Sequence, residues 1–259
     1  MGIIFAVANQ KGGVGKTTTT VNLAACLAEK RKKVLMVDMD PQGNATSGFG
    51  IDKDKQLRTS YEVLLGEAEP EECTQYLKDF RLSIIPSNMN LAGAEVELIG
   101  IERREMLLNE ALQSIKDQYD YIVIDCPPSL SMLTVNALCA ADAVIVPLQC
   151  EYYALEGLTQ LINTINLVIK RLNPRIEIEG IVFTMYDPRT NLSNQVVEEV
   201  RTYMPEQVYE TLIPRNIRLG EAPSYGLPII YYDEKSKGAE SYRELAAEVI
   251  KRNRKKRKA

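Results

Sequence analysis

The 259-residue chain contains no histidine and no tryptophan, and its five cysteines include no Cys-x-x-Cys pair. Zinc sites are usually built from closely spaced cysteines and histidines, and disulfide frameworks from many cysteines in a short chain. The composition therefore indicates neither a zinc site nor a disulfide-stabilised fold. We predict free, buried thiols at Cys26, Cys73, Cys126, Cys139 and Cys150.

Long apolar runs are also missing. No stretch of eighteen apolar residues occurs, and the N-terminus lacks the basic start and small-residue cleavage site of a signal peptide. These absences predict a cytosolic protein. A chain of this length with 45% hydrophobic residues can bury one large core, so we expect a single domain over residues 1–250.

Charge is distributed unevenly along the chain. The net charge is −4, but residues 251–259 carry seven Lys or Arg and no acid, which leaves −11 on the preceding residues. A block of like charges without apolar residues cannot pack against a core. We therefore predict that the fold ends near Ile250 and that residues 251–259 form a frayed helix end or a basic tail.

Short apolar runs alternate with longer segments that carry one apolar and one charged face. The runs read as strands buried on both faces, and the longer segments read as helices covering the sheet. This alternation predicts an α/β fold with a doubly wound, mostly parallel β-sheet. The predicted strands are 3–8, 34–38, 82–86, 121–125, 143–147 and 178–183, and the predicted helices are 17–29, 103–116, 155–172, 191–203 and 237–252.

A glycine-rich loop, Lys-Gly-Gly-Val-Gly-Lys-Thr-Thr, lies between the first predicted strand and the first predicted helix. In a phosphate-binding loop, backbone N–H groups and a helix N-terminus surround phosphate oxygens, a lysine adds positive charge and a hydroxyl binds magnesium. Lys16 and Thr17 match the last two roles. The predicted nucleotide-binding residues are Lys11, Gly12, Gly13, Val14, Gly15, Lys16, Thr17 and Thr18.

The loop departs from the usual motif at its first position, where Gln10 replaces glycine, and it contains an additional lysine, Lys11. A solvated surface charge is the ordinary explanation for a single lysine. Lys11, however, lies inside the loop that would wrap the phosphates, beside two consecutive glycines. We therefore assign Lys11 to the nucleotide site.

Carboxylates follow two of the predicted strands. Asp38 is the last residue of one predicted strand, and Asp40 follows it by two residues. Asp125 is the last residue of another predicted strand. Each could instead cap a helix or a turn, but ligands of open α/β sheets bind at the carboxyl ends of the strands. Three acids at two strand ends, together with one phosphate loop, favour a shared site.

Three segments together resemble the ParA/Soj chromosome-partitioning ATPases: the loop at 11–18, residues 38–44 (Asp-Met-Asp-Pro-Gln-Gly-Asn) and residues 125–129 (Asp-Cys-Pro-Pro-Ser). The likeness spans nearly the whole chain. The resemblance implies an ATP hydrolase that uses Mg²⁺ and forms an ATP-dependent sandwich homodimer. In that family the lysine matching Lys11 reaches the partner's nucleotide, and Gly12 lets the two backbones approach closely.

The resemblance also implies roles for single residues. Asp125 would hold Mg²⁺ through water, while Asp40 would orient the attacking water and Asp38 would support the magnesium shell or the loop. The implied metal-site residues are Thr17, Asp38, Asp40 and Asp125. Lys11, Lys16 and Asp40 would be the catalytic residues. Because no glutamate stands in an obvious water-activating position, we expect slow, partner-stimulated hydrolysis. The implied adenine-binding residues are Met185, Pro214, Arg215 and Asn216.

Three classes of relatives compete: DNA-partitioning ATPases, MinD-like proteins that act at the membrane, and metabolic enzymes. A MinD-like C-terminal helix needs bulky apolar residues on one face, and residues 251–259 have none. Cys126 has no partner at a matching position for an iron–sulfur cluster, and we recognise no substrate motif of a metabolic kinase. Residues 149–157 and 215–224 resemble Soj-like proteins, which favours DNA.

We therefore predict a nucleoid-associated cytoplasmic ATPase that binds double-stranded DNA without sequence preference, works with a ParB-like partner in chromosome or plasmid partitioning, and has no stable membrane anchor. A MinD-like positioning protein at the membrane is the alternative. Lysine and arginine contacts to phosphates would hold the DNA. The candidate DNA contacts are Arg189, Arg218, Lys235, Lys237 and Arg243.

Overall fold

The computed structural model describes residues 2–256 of the chain. The strands are β1 (Ile3–Val7), β2 (Val34–Asp38), β3 (Gln75–Leu77), β4 (Leu82–Ile85), β5 (Tyr121–Asp125), β6 (Ala143–Gln149), β7 (Glu177–Tyr186) and β8 (Val208–Pro214). The α-helices are α1 (Lys16–Glu29), α2 (Asn44–Ser47), α3 (Ser60–Leu65), α4 (Pro70–Cys73), α5 (Leu91–Glu97), α6 (Leu107–Ile115), α7 (Met132–Ala140), α8 (Ala154–Arg171), α9 (Asn191–Tyr203), α10 (Ile217–Glu221), α11 (Ile229–Tyr232) and α12 (Lys237–Lys256). Short 3₁₀ segments lie at Lys53–Lys55, Lys116–Gln118 and Ala222–Tyr225. Among the helices of residues 2–256, none is both long and apolar enough to cross a membrane.

The strands form one eight-stranded sheet with the order β3-β4-β2-β5-β1-β6-β7-β8. Neighbouring strands are parallel except for β3 and β4, which are antiparallel. The chain winds outward from β1 in both directions, so its crossover helices cover both faces of the sheet. The predicted doubly wound, mostly parallel α/β fold is confirmed.

Strand β1 shows how both faces of the sheet become buried. Ile4 and Ala6 pack on the face covered by α6, α7 and α8, while Phe5 and Val7 pack on the face covered by α1 and α12. Successive side chains of a strand point to opposite faces, so a strand between two helical layers needs apolar residues at every position. This requirement explains the continuous apolar runs in the sequence.

The register of the central strands brings functional groups to one edge of the sheet. Val7, at the end of β1, lies beside Asp125 at the end of β5, and Asp125 lies beside Asp38 at the end of β2. The loop that follows Val7 therefore begins next to both carboxylates. This edge is the carboxyl edge, where ligands of such sheets bind.

The structure differs from the prediction in several elements. The predicted helix at 103–116 begins only at Leu107, because Arg103 has a φ of 54° that an α-helix cannot contain. Strands β3 and β8 were not predicted. The first has only three residues, and the second carries Glu210 in the middle of its apolar residues, which hides a buried-strand pattern.

The basic C-terminal segment also differs from the prediction. Helix α12 continues to Lys256, and Asn253 is only 4% exposed, so the fold does not end at Ile250. The Asn253 side-chain amide donates to a carboxylate oxygen of the buried Glu179 at 3.1 Å, and Lys256 Nζ lies 2.7 Å from the other carboxylate oxygen. The segment packs because it neutralises a buried acid. Residues 257–259 of the predicted tail lie outside the described residues.

Arg252 joins the same helix end to the sheet. Its Nη2 donates to the backbone oxygen of Val208 at 2.6 Å, and its guanidinium lies 4.2 Å from the centre of the Tyr209 ring. Arginine can serve both contacts because its planar head stacks on an aromatic face while its edge donates hydrogen bonds. The charges of this segment are thus partly structural.

Candidate functional site

The glycine-rich loop presents free backbone donors at the start of α1. Gly13 and Gly15 have φ values of 75° and 85°, in the left-handed region that glycine adopts at little cost. Gly15 is the N-cap of α1, and no side chain caps this end of the helix. The first N–H groups of α1 are therefore available to an anion, and the helix dipole favours one there.

Lys16 lies inside the curve of the loop. It is 7% exposed, and its Nζ donates to the backbone oxygen of Lys11 at 2.9 Å. Burial lowers the pKa of Lys16, while the nearby Asp125 acts in the opposite direction and favours the charged form. The loop thus holds an ammonium group where it would meet a phosphate bound to the helix N-terminus.

Asp125 is fully buried and accepts hydrogen bonds from two threonines of α1. Its two carboxylate oxygens each lie 2.8 Å from a hydroxyl, one of Thr17 and one of Thr20. Burial raises the pKa of Asp125, and the neighbouring Asp38 raises it further. Sequence reasoning missed Thr20, although Thr17 and Thr20 are three residues apart and so share one face of the helix.

Asp38 holds the loop that follows β2. One carboxylate oxygen accepts from the backbone N–H of Asp40 at 3.1 Å, and the other accepts from Thr46 through its backbone N–H at 2.8 Å and its hydroxyl at 2.7 Å. Burial raises its pKa. Of the two roles implied for Asp38, loop support is the one that these contacts favour.

Asp40 is the least engaged of the three acids. One oxygen accepts from the Gln42 backbone N–H at 2.9 Å, and the other has no hydrogen bond within residues 2–256. The side chain is 7% exposed and interacts with the charge of Lys16. Asp40 therefore keeps acceptor capacity at the edge of the phosphate loop.

The oxygen-bearing side chains at this edge fit a magnesium ion that is bound together with phosphate. Within the described part of the chain, no three His, Cys, Asp or Glu residues are grouped to hold a metal by themselves. Magnesium usually takes one or two protein ligands, several waters and phosphate oxygens, so a complete protein cage is not needed. The Thr17 hydroxyl and the buried Asp125 carboxylate match that requirement, and the excess of acids beside one lysine would be offset by a cation.

A cavity of about 310 Å³ opens beside the loop and brings the four predicted adenine-binding residues together with it. Met185 has a φ of 51°, which is unusual for a residue with a side chain. It follows Thr184, whose hydroxyl donates to the Val14 backbone oxygen at 2.8 Å. This bond ties the end of β7 to the phosphate loop. The cavity is lined by Gly15, Thr18, Thr184, Met185, Ile213, Pro214, Arg215, Asn216, Ile217, Leu219, Gly220 and Tyr242.

Lys11 points away from the other loop groups. Its Nζ contacts a carboxylate oxygen of Glu151, and its backbone N–H donates to the Asn9 side chain at 3.0 Å. Gly12 faces open space, since an added Cβ would meet nothing within 4 Å. The outer side of the loop is thus accessible. Sequence reasoning missed Glu151 because the contact joins segments 140 residues apart.

The five candidate DNA contacts differ in their surroundings. Lys235 and Lys237 are exposed and form no ion pair within residues 2–256. The three arginines are paired with acids, which reduces the charge each presents to an anion. The pairs are Arg189 with Asp187 at 2.7 Å, Arg218 with Glu221 at 2.8 Å, and Arg243 with Glu29 at 2.8 Å.

Comparison with known proteins finds relatives along nearly the whole chain. A family model described as "AAA domain" matches residues 2–178. The sporulation initiation inhibitor protein Soj of Bacillus subtilis is 57% identical over 249 residues, covering 96% of this chain and 98% of that protein. The chromosome partitioning protein ParA of Myxococcus xanthus is 55% identical, covering 98% of this chain and 89% of that protein.

Solved structures show the same architecture, one of them with ligands. Cobyrinic acid a,c-diamide synthase from Mycobacterium smegmatis, with a bound ATP analogue and magnesium, has a TM-score of 0.85 at 41% identity, covering 96% of this chain and 95% of that one. The cell division ATPase MinD of Pyrococcus furiosus has a TM-score of 0.78 at 28% identity, covering 97% and 99%. The fold is thus shared by proteins whose named activities differ.

Proposed function

Because the chain belongs to the ParA/Soj family of chromosome-partitioning ATPases, we propose that it hydrolyses ATP, dimerises around the nucleotide, binds DNA without sequence preference and acts with a ParB-like partner. The observation that carries the proposal is the meeting of three features at one sheet edge. These are an uncapped helix N-terminus, the buried Lys16 ammonium and the Thr17–Asp125 pair, all beside a cavity of nucleotide size.

We assign phosphate binding to the loop and to Lys16, and magnesium binding to Thr17 with Asp125. Magnesium, when bound, would neutralise charge on the phosphates. We assign water orientation to Asp40, because one of its carboxylate oxygens has no hydrogen bond within residues 2–256 and could accept one from an attacking water. Met185 and the 214–216 loop would enclose the adenine, since they form the wall of the cavity next to Gly15.

The dimer part of the proposal rests on the outer side of the loop. Gly12 is open, and the Lys11 side chain is 36% exposed and contacts only Glu151 among the described residues. Apolar side chains next to this position are strongly exposed, among them Tyr152 at 76% and Tyr153 at 62%. A second protomer would cover these rings, and its nucleotide would attract Lys11 away from Glu151. Two ammonium groups would then face one set of phosphates.

The DNA part of the proposal is tested by a salt titration. Fluorescence anisotropy of a labelled duplex of random sequence is measured with the full chain in ATP, in ADP and without nucleotide. We expect binding with ATP that weakens steeply as salt rises, because each phosphate contact releases counterions. Binding to liposomes of anionic lipid is measured under the same nucleotide conditions as the second part of the test. Binding to liposomes with ATP, without binding to DNA, would contradict the proposal and favour a MinD-like role.

A further inference from the structure

A second cavity, of about 420 Å³, lies at the amino edge of the sheet. It is formed where β2 and β4 begin and α1 ends, whereas the phosphate loop follows the carboxyl end of β1. Strand β2 has five residues, which at about 3.3 Å per residue separates the two edges by about 13 Å. This cavity, called the amino-edge cavity below, is therefore distinct from the nucleotide site.

The lining of the amino-edge cavity is basic. Arg31, Lys32 and Lys33 come from the segment between α1 and β2, and Arg81 comes from the turn between β3 and β4. Within the described residues, none of these four side chains forms an ion pair. The neighbouring Asp120 accepts a hydrogen bond from the Lys33 backbone N–H through Oδ2 at 2.9 Å. Four cationic residues thus line one concave surface without a side-chain ion pair among the described residues.

Two of the four cationic residues have a positive φ, a backbone conformation that glycine adopts more readily than other residues. Arg31 and Arg81 have φ values of 59° and 55°. Arg31 follows the last turn of α1, a position that glycine commonly occupies, and Arg81 closes the short β3–β4 turn. The negative end of the α1 dipole favours the cations next to that helix, but it does not account for Arg81 on a separate element. Glycine would therefore fit both backbone positions without strain.

We propose that the amino-edge cavity binds a phosphate-bearing small molecule of nucleotide size. Its volume falls within the range of small-molecule sites, roughly 300 to 1,000 Å³. Guanidinium groups match phosphate oxygens in charge and planar geometry. Tyr76, which is 66% exposed on the edge strand β3, offers a ring against which a base can stack. The concave shape suits a small ligand rather than a DNA duplex.

Titration calorimetry of the full chain, kept saturated with Mg·ADP so that the main site stays filled, tests the proposal. The two titrants are inorganic pyrophosphate and AMP, at constant free magnesium. We expect one additional binding event per chain. In the double variant Arg31→Gly/Arg81→Gly this event should weaken at least tenfold, and the fold should be retained because glycine suits both backbone positions.

Arg103→Gly provides the matched control. Arg103 also has a positive φ, of 54°, but it lies outside the amino-edge cavity, so its replacement should leave both titrations unchanged. Tyr76→Ala separates the two sources of phosphate. Weaker binding of AMP alone indicates a nucleotide, and unchanged binding of both titrants indicates an inorganic polyphosphate.

The proposal is overturned by either of two results. The first is no additional binding event with either titrant, including the case in which duplex DNA binds through Arg31 and Arg81 instead. The second is an additional event that the double variant leaves unchanged. ATP turnover of the variants, which should match the unmodified chain, reports separately on the main site.

Discussion

At the scale of single residues, the three acids of the carboxyl edge differ in how their oxygens are used. Asp125 is held by Thr17 and Thr20, and Asp38 is held within its own loop. Asp40 alone keeps one oxygen without a hydrogen bond among the described residues. A carboxylate with spare acceptor capacity can bind a water molecule, so Asp40 is the acid we assign to hydrolysis.

Replacement of Asp40 by alanine should separate ATP binding from hydrolysis. We expect the affinity for ATP to stay within a few-fold, because Lys16 and the loop donors are untouched. Turnover should fall by about 100-fold or more, the usual size of the effect of removing a group that positions a reacting water. Phosphate release and fluorescent-nucleotide binding measure the two quantities. The control is Asp52→Ala, which removes an exposed acid paired with Lys55. Turnover near that of the control would refute the role of Asp40.

At the scale of elements, Gly180 allows strand β7 to pass close to β8. An added Cβ at Gly180 would lie 2.4 Å from the ring of Tyr209, which is fully buried and cannot move aside. Gly180→Ala should therefore reduce the free energy of unfolding by about 1 to 3 kcal/mol, the usual cost of overpacking. Urea denaturation measures the change. Gly157→Ala is the control, because nothing lies within 4 Å of its added Cβ. Equal effects of the two variants would contradict this explanation.

The end of α12 should make stability depend on pH. Burial raises the pKa of Glu179, and the hydrogen bond from Lys256 opposes that rise. In Lys256→Gln the pKa of Glu179 should rise further. A carboxyl whose pKa is higher in the folded than in the unfolded chain favours folding at low pH and loses that contribution as pH rises through the folded value.

Lys256→Gln should therefore be close to the unmodified chain at pH 4 and less stable by about 1 kcal/mol at pH 8, since the lysine is partly exposed. Thermal or urea unfolding at the two pH values measures the difference. Lys251→Gln removes an exposed lysine of the same helix and serves as control. A loss of stability that is the same at both pH values would contradict the role of Glu179.

At the scale of the whole molecule, the proposed switch depends on Lys11 leaving its own chain. Lys11→Ala should bind ATP but stay monomeric, because the charge that would bridge to the partner's phosphates is gone. Light scattering after size-exclusion chromatography, with ATP and with ADP, measures the oligomeric state. Lys170→Ala on α8 removes an exposed lysine without an ion pair in the described residues and should behave like the unmodified chain. An ATP-dependent dimer of Lys11→Ala would refute the cross-dimer role.

Much of this architecture was predictable because it depends on local patterns of apolar and polar residues. Strand β5 was predicted with its observed bounds, and α9 likewise, since continuous apolar runs and amphipathic periodicity report directly on burial. Strands β3 and β8 were not predictable in this way, because a short edge strand and a strand with a charged centre lack those patterns. The family resemblance, carried by the loop and the two acidic segments, is confirmed by relatives that include one 57% identical.

The sequence by itself determined the central parallel strands, the phosphate loop and the presence of acids at two strand ends, because each depends on neighbours along the chain. Only the tertiary structure decided which oxygens of those acids are free, that Lys11 meets Glu151, and that residues 251–256 pack onto Glu179. It also decided that Arg31 and Arg81 line one cavity. These pairings join segments far apart in sequence, so burial and charge compensation could select them only once the chain had folded.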